Sequence, residues 1–477
     1  MICAVSIRQN IECMKEQVQQ IHFVGIGGVG MAGIAEVCLN LGYRVSGSDI
    51  RKNPTVEHLL QLGAVVQMGH NAEHVKRSDV VVVSTAIGKD NPEVEWAREA
   101  RIPVIPRAEM LAELMRMRFG IAIAGTHGKT TTTSLTAAVL TQAGIDPTYV
   151  IGGKLNQIGS NARLGASRYL VAEADESDAS FLHLAPMLSV ITNVDQDHME
   201  TYQGDYRNLE NTFIEFIHRL PFYGKVIVCL EDENIRQLLP KISRKFIGYG
   251  FSDQADVRAV NLRADGMRTH FDLQLRGQEP RIPITLNLPG EHNVLNALAA
   301  ISVALELEVE FSAIVQALAE FAGVGRRFEV YPQRQIGGRV VTLVDDYGHH
   351  PTELMATLKT ARTAFADQRL VLLFQPHRYS RTRDLFDEFV QAMLLADLVI
   401  LCEVYPAGEK PLANFDSKAL LQSLRTRGGQ GFYAESIEQL DALCAEVLLE
   451  QDLLLLMGAG DIGQQAKKWA EQSEKKN

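Results

Sequence analysis

Short apolar runs along the first hundred residues alternate with stretches of helical spacing. Ile21–Val24 is an apolar run that ends in a glycine turn, Met31–Leu41 has helical spacing, and Arg44–Ser46 opens a second strand. Thr55–Leu62 predicts a helix, Ala64–Gln67 a strand, Asp79–Ser84 a buried strand and Glu93–Ala100 a helix. Repeated strand–helix units of this kind imply a parallel sheet with helices on both faces. Pro103 and Pro106 break the pattern, and a helical stretch, Ala108–Met117, follows.

A second region opens with the strand Phe119–Ala124 and a glycine-rich turn that runs into a helix reaching Ala143. Tyr169–Ala172 and Leu188–Thr192 read as further buried strands. Between residues 245 and 288 the texture changes to alternation: Thr269–Leu275 and Ile282–Leu288, with a turn at Asp265-Gly266, predict an antiparallel hairpin set on a sheet edge. A helix from Glu291 to Leu307 follows, and Gly323 and Gly325 mark a hinge.

The third region alternates again. Its expected strands are Val340–Val344, Leu370–Phe374, Leu398–Cys402 and Leu453–Met457. Its expected helices are Pro351–Thr363, Thr382–Leu395, Ser417–Arg425 and Ile437–Leu448. The fold class is therefore α/β in three domains. The N-terminal domain, 20–115, is Rossmann-like. The central domain, 116–323, is a P-loop-type mononucleotide-binding sheet with an antiparallel edge. The C-terminal domain, 324–477, is again Rossmann-like. The length of 477 residues agrees, at about 150 residues per domain.

Composition narrows the chemistry. A net charge of −11 argues against nucleic acid as the main partner, yet leaves room for nucleotides, whose phosphates are held by local backbone N–H groups. No apolar run approaches the ~18 residues needed to span a bilayer, so membrane insertion is not expected. Six cysteines (Cys3, Cys13, Cys38, Cys229, Cys402, Cys444) lack the spacing of a disulfide framework or zinc site and suit a reducing compartment. Arg8, Glu12, Lys15 and Glu16 interrupt what would be a secretory signal, and Met14 is an alternative start that would leave residues 1–13 as an ornament.

Six groups of residues carry candidate chemistry. Gly25-Ile-Gly27-Gly28-Val29-Gly30-Met31 lies between a strand and a helix, where glycines permit a sharp turn and a phosphate can approach the helix N-terminus. Asp49, ending the second strand, can accept from a ribose or another hydroxyl. The motif itself does not choose between NAD, FAD and a nucleotide-sugar. Gly125-Thr126-His127-Gly128-Lys129-Thr130-Thr131 resembles a P-loop, although Ile123 stands where the first glycine is usual. Its backbone would cradle ATP phosphates, Lys129 would neutralise β/γ charge and Thr130 would ligate Mg²⁺.

Two acidic strand ends should face that loop: Glu173, Asp175, Glu176 and Asp178 after one strand, Asn193, Asp195, Asp197 and His198 after the other. His292 and Asn293 open a helix, as caps or as contacts to adenine or ribose. Arg326 and Arg327 sit at the hinge, where an arginine reaches a γ-phosphate or makes a surface ion pair. Finally, Asp345-Asp346-Tyr347-Gly-His349-His350 and Gln375-Pro-His377-Arg378-Tyr379-Ser-Arg381 end adjacent strands, and arginines there suit a carboxylate or phosphate.

A dehydrogenase explains only the first site and a simple ATPase only the second. The whole set resembles the Mur ligase family, in Gly25–Met31, Ser48-Asp49, Pro106–Leu111, Gly125–Thr131, Glu173–Asp178, Asn193–Glu200, Glu291–Asn296, Arg326-Arg327, Asp345–Pro351 and Gln375–Arg381. These stretches run through essentially the whole chain from about residue 20, and the P-loop irregularity is usual in that family. The resemblance implies a cytoplasmic, ATP-dependent amide ligase of peptidoglycan precursor synthesis, and so of cell shape and division. It would join L-alanine to the lactyl carboxylate of UDP-N-acetylmuramate through an acyl phosphate.

The resemblance further implies that Gly25, Gly27, Gly28, Val29, Gly30, Met31, Asp49, Ser84 and Arg107 hold the UDP-sugar. Gly125–Thr131, His292, Asn293, Arg326 and Asp346 would hold ATP. Thr130, Glu173 and His198 would hold Mg²⁺, two ions in all, and Tyr347, His349, Arg378 and Arg381 would hold the amino acid. Lys129, Glu173, His198 and Arg326 would be catalytic, in a monomer or homodimer. No lysine lies between Lys154 and Lys225, so the carbamylated lysine of several sister enzymes is not expected from that stretch. Sister ligases that add a ready-made peptide, folate polyglutamylating ligases and non-catalytic nucleotide-binding proteins are the competing classes. The Gly27–Met31 loop argues against the folate enzymes, and the unbroken P-loop and metal positions argue against a non-catalytic protein. The choice among L-alanine, glycine and L-serine is not legible.

Overall fold

A computed structural model describes residues 14, 16–84, 87–152 and 162–472. Residues 1–13, with Arg8, Glu12, Cys3 and Cys13, and Lys15 fall outside the described residues. Compactness divides the chain into two units. The first takes the described residues up to Asn261 together with Phe271–Ile284 and Leu295–Ala322. The second takes Leu262–His270, Thr285–Val294 and the chain from Gly323 onward.

The N-terminal sheet contains β1 (Gln20–Val24), β2 (Arg44–Asp49), β3 (Val65–Met68), β4 (Val80–Val83) and β5 (Val104–Pro106), in the order β3-β2-β1-β4-β5 and parallel throughout. β5 falls where the two prolines were expected to end the pattern. It is the edge strand, and there a missing proline N–H leaves no central ladder bond unmade. Strand order reverses about β1, whose C-terminal end leads into the glycine loop and helix α1 (Val29–Asn40). A crevice at such a reversal is where α/β sheets bind ligands.

The second sheet contains β6 (Phe119–Ala124), β7 (Thr148–Val150), β8 (Ala162–Arg163), β9 (Tyr169–Glu173), β10 (Leu188–Ile191), β11 (Lys225–Cys229), β12 (Lys245–Gly250), β13 (Val257–Asp265), β14 (Arg268–Leu275) and β15 (Ile282–Leu286). Its order is β15-β14-β13-β12-β11-β10-β6-β9-β7-β8. β6 pairs in parallel with β10 on one side and β9 on the other, so the P-loop and helix α2 (Lys129–Gln142) also leave the sheet at a reversal. The alternating segments β14 and β15 form one edge of this sheet, as their pattern predicts, and β7–β8 is an antiparallel pair at the other.

The third sheet contains β16 (Glu329–Ile336), β17 (Arg339–Asp346), β18 (Leu370–Phe374), β19 (Leu398–Cys402), β20 (Gly431–Ala434) and β21 (Leu453–Met457), in the order β16-β17-β21-β18-β19-β20. The central runs β18, β19 and β21 are buried along their whole length. In β21, Leu453, Leu455 and Met457 pack into one core and Leu454 and Leu456 into the core on the opposite face. A strand covered on both faces has no polar alternation, which is why it appears as an unbroken apolar run.

The sheet is mixed, because β16, which the apolar pattern does not pick out, pairs antiparallel with β17. One helix expectation fails. The single helix expected over Thr382–Leu395 is two, α3 (Tyr379–Asp384) and α4 (Phe386–Met393), broken at Leu385.

Candidate active site

In the first unit the glycine loop is held from behind. Gly25 and Ile26 donate their N–H groups to the Ser48 carbonyl at 2.8 and 3.0 Å. Gly27 donates to Asp49 Oδ2 at 2.8 Å, and Asn53 Nδ2 donates to the Gly27 carbonyl at 3.2 Å. A Cβ at Gly27 would come within 2.8 Å of Asp49 Oδ2, so only glycine fits between these partners. Asp49 Oδ1 also accepts from Arg51 N–H. Asp49 therefore shapes the loop, a role its sequence position did not distinguish from ribose contact. Val29, Gly30 and Met31 form the first turn of α1, whose N–H groups no earlier helical carbonyl can take. Met31 is buried, so its side chain is not a ligand contact at the surface. Ser84 follows β4 directly, and its carbonyl accepts from Ile87 N–H.

Arg107 links this loop to the second site. A Cβ on Gly30 would lie 2.8 Å from Arg107 Nη1, while Arg107 Nη2 donates to Asp175 Oδ2 at 3.2 Å. Asp175 in turn lies in the field of Lys129.

The P-loop is braced by the strand end beside it. His127 N–H donates to Asn193 Oδ1 at 2.7 Å and Asn193 Nδ2 returns a bond to the His127 carbonyl at 3.0 Å. Thr192 Oγ1 donates to that same carbonyl, and His127 Nε2 lies 3.0 Å from Asp195 Oδ2. Gly125 and Gly128 have φ of +125° and +82°, and a Cβ on Gly128 would lie 2.5 Å from Asn296 Oδ1. Asn296, which also accepts from Thr132 Oγ1 at 3.2 Å, was missed as a site residue. It lies one helical turn after Asn293, the spacing that puts both on one face.

Lys129 Nζ donates to the Gly125 carbonyl at 2.7 Å, the Thr126 carbonyl at 3.0 Å and Glu176 Oε1 at 2.8 Å. Burial works against its charge, but Glu176 and Asp175 outweigh that and hold the ammonium above its ordinary range. Burial pushes Glu176 up to about 7 against the pull of Lys129, and its Oε2 has no hydrogen-bond partner among the described residues. Glu173, opposite Ile123 at the end of β9, accepts from Gly152 N–H at 2.7 Å. Thr130 is buried in the first turn of α2. His198 has φ of +53° and lies 3.5 Å from Asp197 Oδ2. Three carboxylates (Glu173, Asp175, Glu176) act on the single ammonium. The residual negative charge, with oxygen donors at Thr130 and Glu173, fits a hard divalent cation.

The second unit holds the remaining candidates. Burial lowers His292 to about 4, and Asn293 Nδ2 donates to the Pro289 carbonyl at 2.8 Å. Arg326, with φ of +59°, donates through Nε to Asp345 Oδ2 at 3.2 Å and through Nη2 to the Gly458 carbonyl at 2.8 Å. Tyr347 lies against both Arg326 and Arg327, whose guanidinium carbons are 5.1 and 5.2 Å from the ring centre. Burial raises Asp345 to about 6, Arg326 opposing. Both oxygens of Asp346 accept backbone N–H groups, from Phe328 at 2.8 Å and Gly348 at 2.7 Å, so its carboxylate shapes the loop after β17. Beside it, His349 packs against Tyr347 and His377, and His377 stacks on Tyr405 with centroids 5.4 Å apart. Arg381 is buried and donates through Nη1 to the His377 carbonyl at 3.0 Å. Arg378, at φ of +72°, opens α3. Tyr347, His349, Arg378 and Arg381 thus gather at the ends of β17 and β18. These strands are not adjacent as expected, because β21 lies between them. His377 and, unmarked by any sequence motif, Tyr405 are neighbours.

Comparison with known proteins gives three consecutive matches. The Mur ligase family catalytic domain matches residues 20–119, the Mur ligase middle domain 123–304 and the Mur ligase glutamate ligase domain 326–460. The chain is 69% identical over 461 residues to UDP-N-acetylmuramate–L-alanine ligase of Hydrogenovibrio crunogenus, covering 96% of this chain and all of that one. It superposes on the crystal structure of UDP-N-acetylmuramate–alanine ligase from Thermotoga maritima with a TM-score of 0.81 at 29% identity, covering 96% of this chain and all of that one. A murein peptide ligase from Psychrobacter arcticus gives 0.70 at 25% identity over 95% of this chain and 98% of that one.

Proposed function

We propose, from the premise that the chain belongs to the Mur ligase family, how its residues carry out the ligation of L-alanine to UDP-N-acetylmuramate. The reaction is an ATP-dependent amide synthesis in peptidoglycan precursor assembly. A carboxylate and an amine at neutral pH form a salt, because oxide is too poor a leaving group. An oxygen of the lactyl carboxylate therefore attacks the γ-phosphorus of ATP, and ADP leaves. The amine nitrogen of L-alanine attacks the resulting acyl phosphate carbon. The tetrahedral intermediate expels phosphate, and the nitrogen loses its proton.

Two polyanions must meet in the first step, so the main demand is electrostatic. The observation that carries this reading is Arg107, which reaches the helix start of the glycine loop and the Asp175 carboxylate beside Lys129. An arginine between the glycine loop and a carboxylate in the field of the P-loop lysine suits an enzyme that brings two phosphorylated substrates together. In this assignment the glycine loop takes the UDP diphosphate. Lys129 exchanges Glu176 for the ATP phosphates, and Arg326 steadies charge in transfer. Thr130, Glu173 and His198 would hold Mg²⁺, two ions in our reading, which when bound offsets phosphate charge and polarises the γ-phosphoryl group. His292, Asn293 and Asp346 are assigned to the nucleotide side, with Asp346 acting through the loop it shapes. His349, Arg378, Arg381 and Tyr347 are assigned to L-alanine, Arg381 for its carboxylate. The reaction is placed in the cytoplasm. No helix among the described residues is long and apolar enough to cross a membrane.

The deciding experiment measures phosphate release from ATP with UDP-N-acetylmuramate and, in turn, L-alanine, glycine, L-serine and a tripeptide. L-alanine should give the highest kcat/KM, and no release should occur without the nucleotide-sugar. A tripeptide that outperforms L-alanine would move the chain to the peptide-adding branch.

A further inference from the structure

Behind the glycine loop lies a buried polar cluster that the mechanism above does not use. Glu93, the second residue of the helix Pro92–Glu99, is fully buried. Its Oε2 accepts from Ser48 Oγ at 2.5 Å and lies 3.3 Å from His70 Nδ1. Its Oε1 accepts from Asn71 N–H at 3.2 Å and lies 2.7 Å from His74 Nδ1. His22, on β1 and itself fully buried, brings Nε2 to 3.7 Å from the same carboxylate, while its Nδ1 is 2.9 Å from Ser46 Oγ. Burial works against ionisation of Glu93, but His22, Ser48 and His74 overcome it and hold the carboxyl at about 2. The carboxylate is thus charged, placed at a helix N-terminus and ringed by donors.

Ser48 transmits this arrangement. Its hydroxyl donates into Glu93, while its carbonyl accepts the N–H groups of Gly25 and Ile26. The next residue, Asp49, holds Gly27. One strand end therefore has its side chain fixed by Glu93 and its backbone fixed to the loop. We infer that Glu93 is a positioning residue for the nucleotide-sugar: through Ser48 it sets where the glycine loop presents its N–H groups to the diphosphate. This rests on the assignment of that loop to UDP-N-acetylmuramate.

The test is calorimetric titration of the full-length protein with UDP-N-acetylmuramate in the absence of ATP, for Ser48→Ala, Glu93→Gln, the double variant and Gly27→Ala, alongside the KM for ATP. Each single change should weaken nucleotide-sugar binding about tenfold, the loss of one hydrogen bond to a charged group. Because the two act in series, the double variant should be no weaker than the worse single. The KM for ATP should stay within about twofold, a split that general loosening of the fold would not produce. Additive losses, an equal rise in the KM for ATP, or unchanged binding in Ser48→Ala while Gly27→Ala binds poorly, would each overturn the inference. Should Glu93→Gln not fold, Ser48→Ala decides alone. If Gly27→Ala itself binds normally, the loop assignment fails, and that result is distinct from failure of the Glu93 link.

Discussion

Lys129 shows how a single residue anticipates its ligand. A buried ammonium needs counter-charge, and here Glu176 and two P-loop carbonyls provide it. Phosphate oxygens can replace them without exposing the lysine. Lys129→Ala should lower ATP-dependent phosphate release by a factor on the order of 10³. Calorimetric affinity for UDP-N-acetylmuramate should change less than about twofold, and retained turnover would remove Lys129 from the reaction. Glu93 makes a second prediction at this scale. Its carboxyl is lowered from 4.5 to about 2, so its ionisation stabilises the fold in full above pH 4.5. That contribution fades as the pH falls through 2, and is at most on the order of 3 kcal/mol. Urea unfolding of the parent protein and Glu93→Gln should show a stability gap that narrows from pH 5 to pH 2. A gap independent of pH would mean that the Glu93 carboxyl titrates alike in the folded and unfolded states.

Strands and their exits explain why the candidates converge. β1 and β6 each sit where strand order reverses, so the turns after them open into crevices and lead into helix N-termini. The glycine loops were legible because glycine at a strand–helix turn has few other uses. What braces them was not. Asn193 and Asp195 read from sequence as polar residues of a strand end facing the P-loop and its metal, and in the structure Asn193 makes a reciprocal pair with the His127 backbone and Asp195 meets the His127 ring. Asn193→Ala would remove the acceptor of the His127 N–H while Thr192 Oγ1 still bonds the His127 carbonyl, costing roughly 1–3 kcal/mol. We expect the KM for ATP to rise about tenfold while nucleotide-sugar affinity holds. Steady-state kinetics and calorimetry together check this, and parallel losses of both would mean that the asparagine supports the whole unit. The break between α3 and α4 escaped notice for a related reason: Leu385 carries no glycine or proline signal.

For the whole molecule, the assignment puts the nucleotide-sugar in the first unit. A ligand that binds only the folded state raises opening free energies, by about 2.7 kcal/mol at a hundredfold excess over Kd. Hydrogen exchange with UDP-N-acetylmuramate alone should therefore slow in β1, β2 and β4 and stay unchanged in β17, β18 and β21. Protection centred on the third sheet would place the nucleotide-sugar in the second unit.

The sequence by itself determined the alternation of strands and helices, the buried central strands and both glycine loops. Those features follow from local periodicity and from residues whose backbone preferences are strong. It also carried the family resemblance, because the motifs keep their order along the chain. Only the tertiary structure decided which polar residues serve the loops from behind. Glu93 meets Ser48 across 45 positions, Arg107 meets Asp175 across 68 and Thr132 meets Asn296 across 164. A hydrogen bond has no sequence period when its partners come from different elements. Such residues become visible only once the sheets have brought the strand ends together.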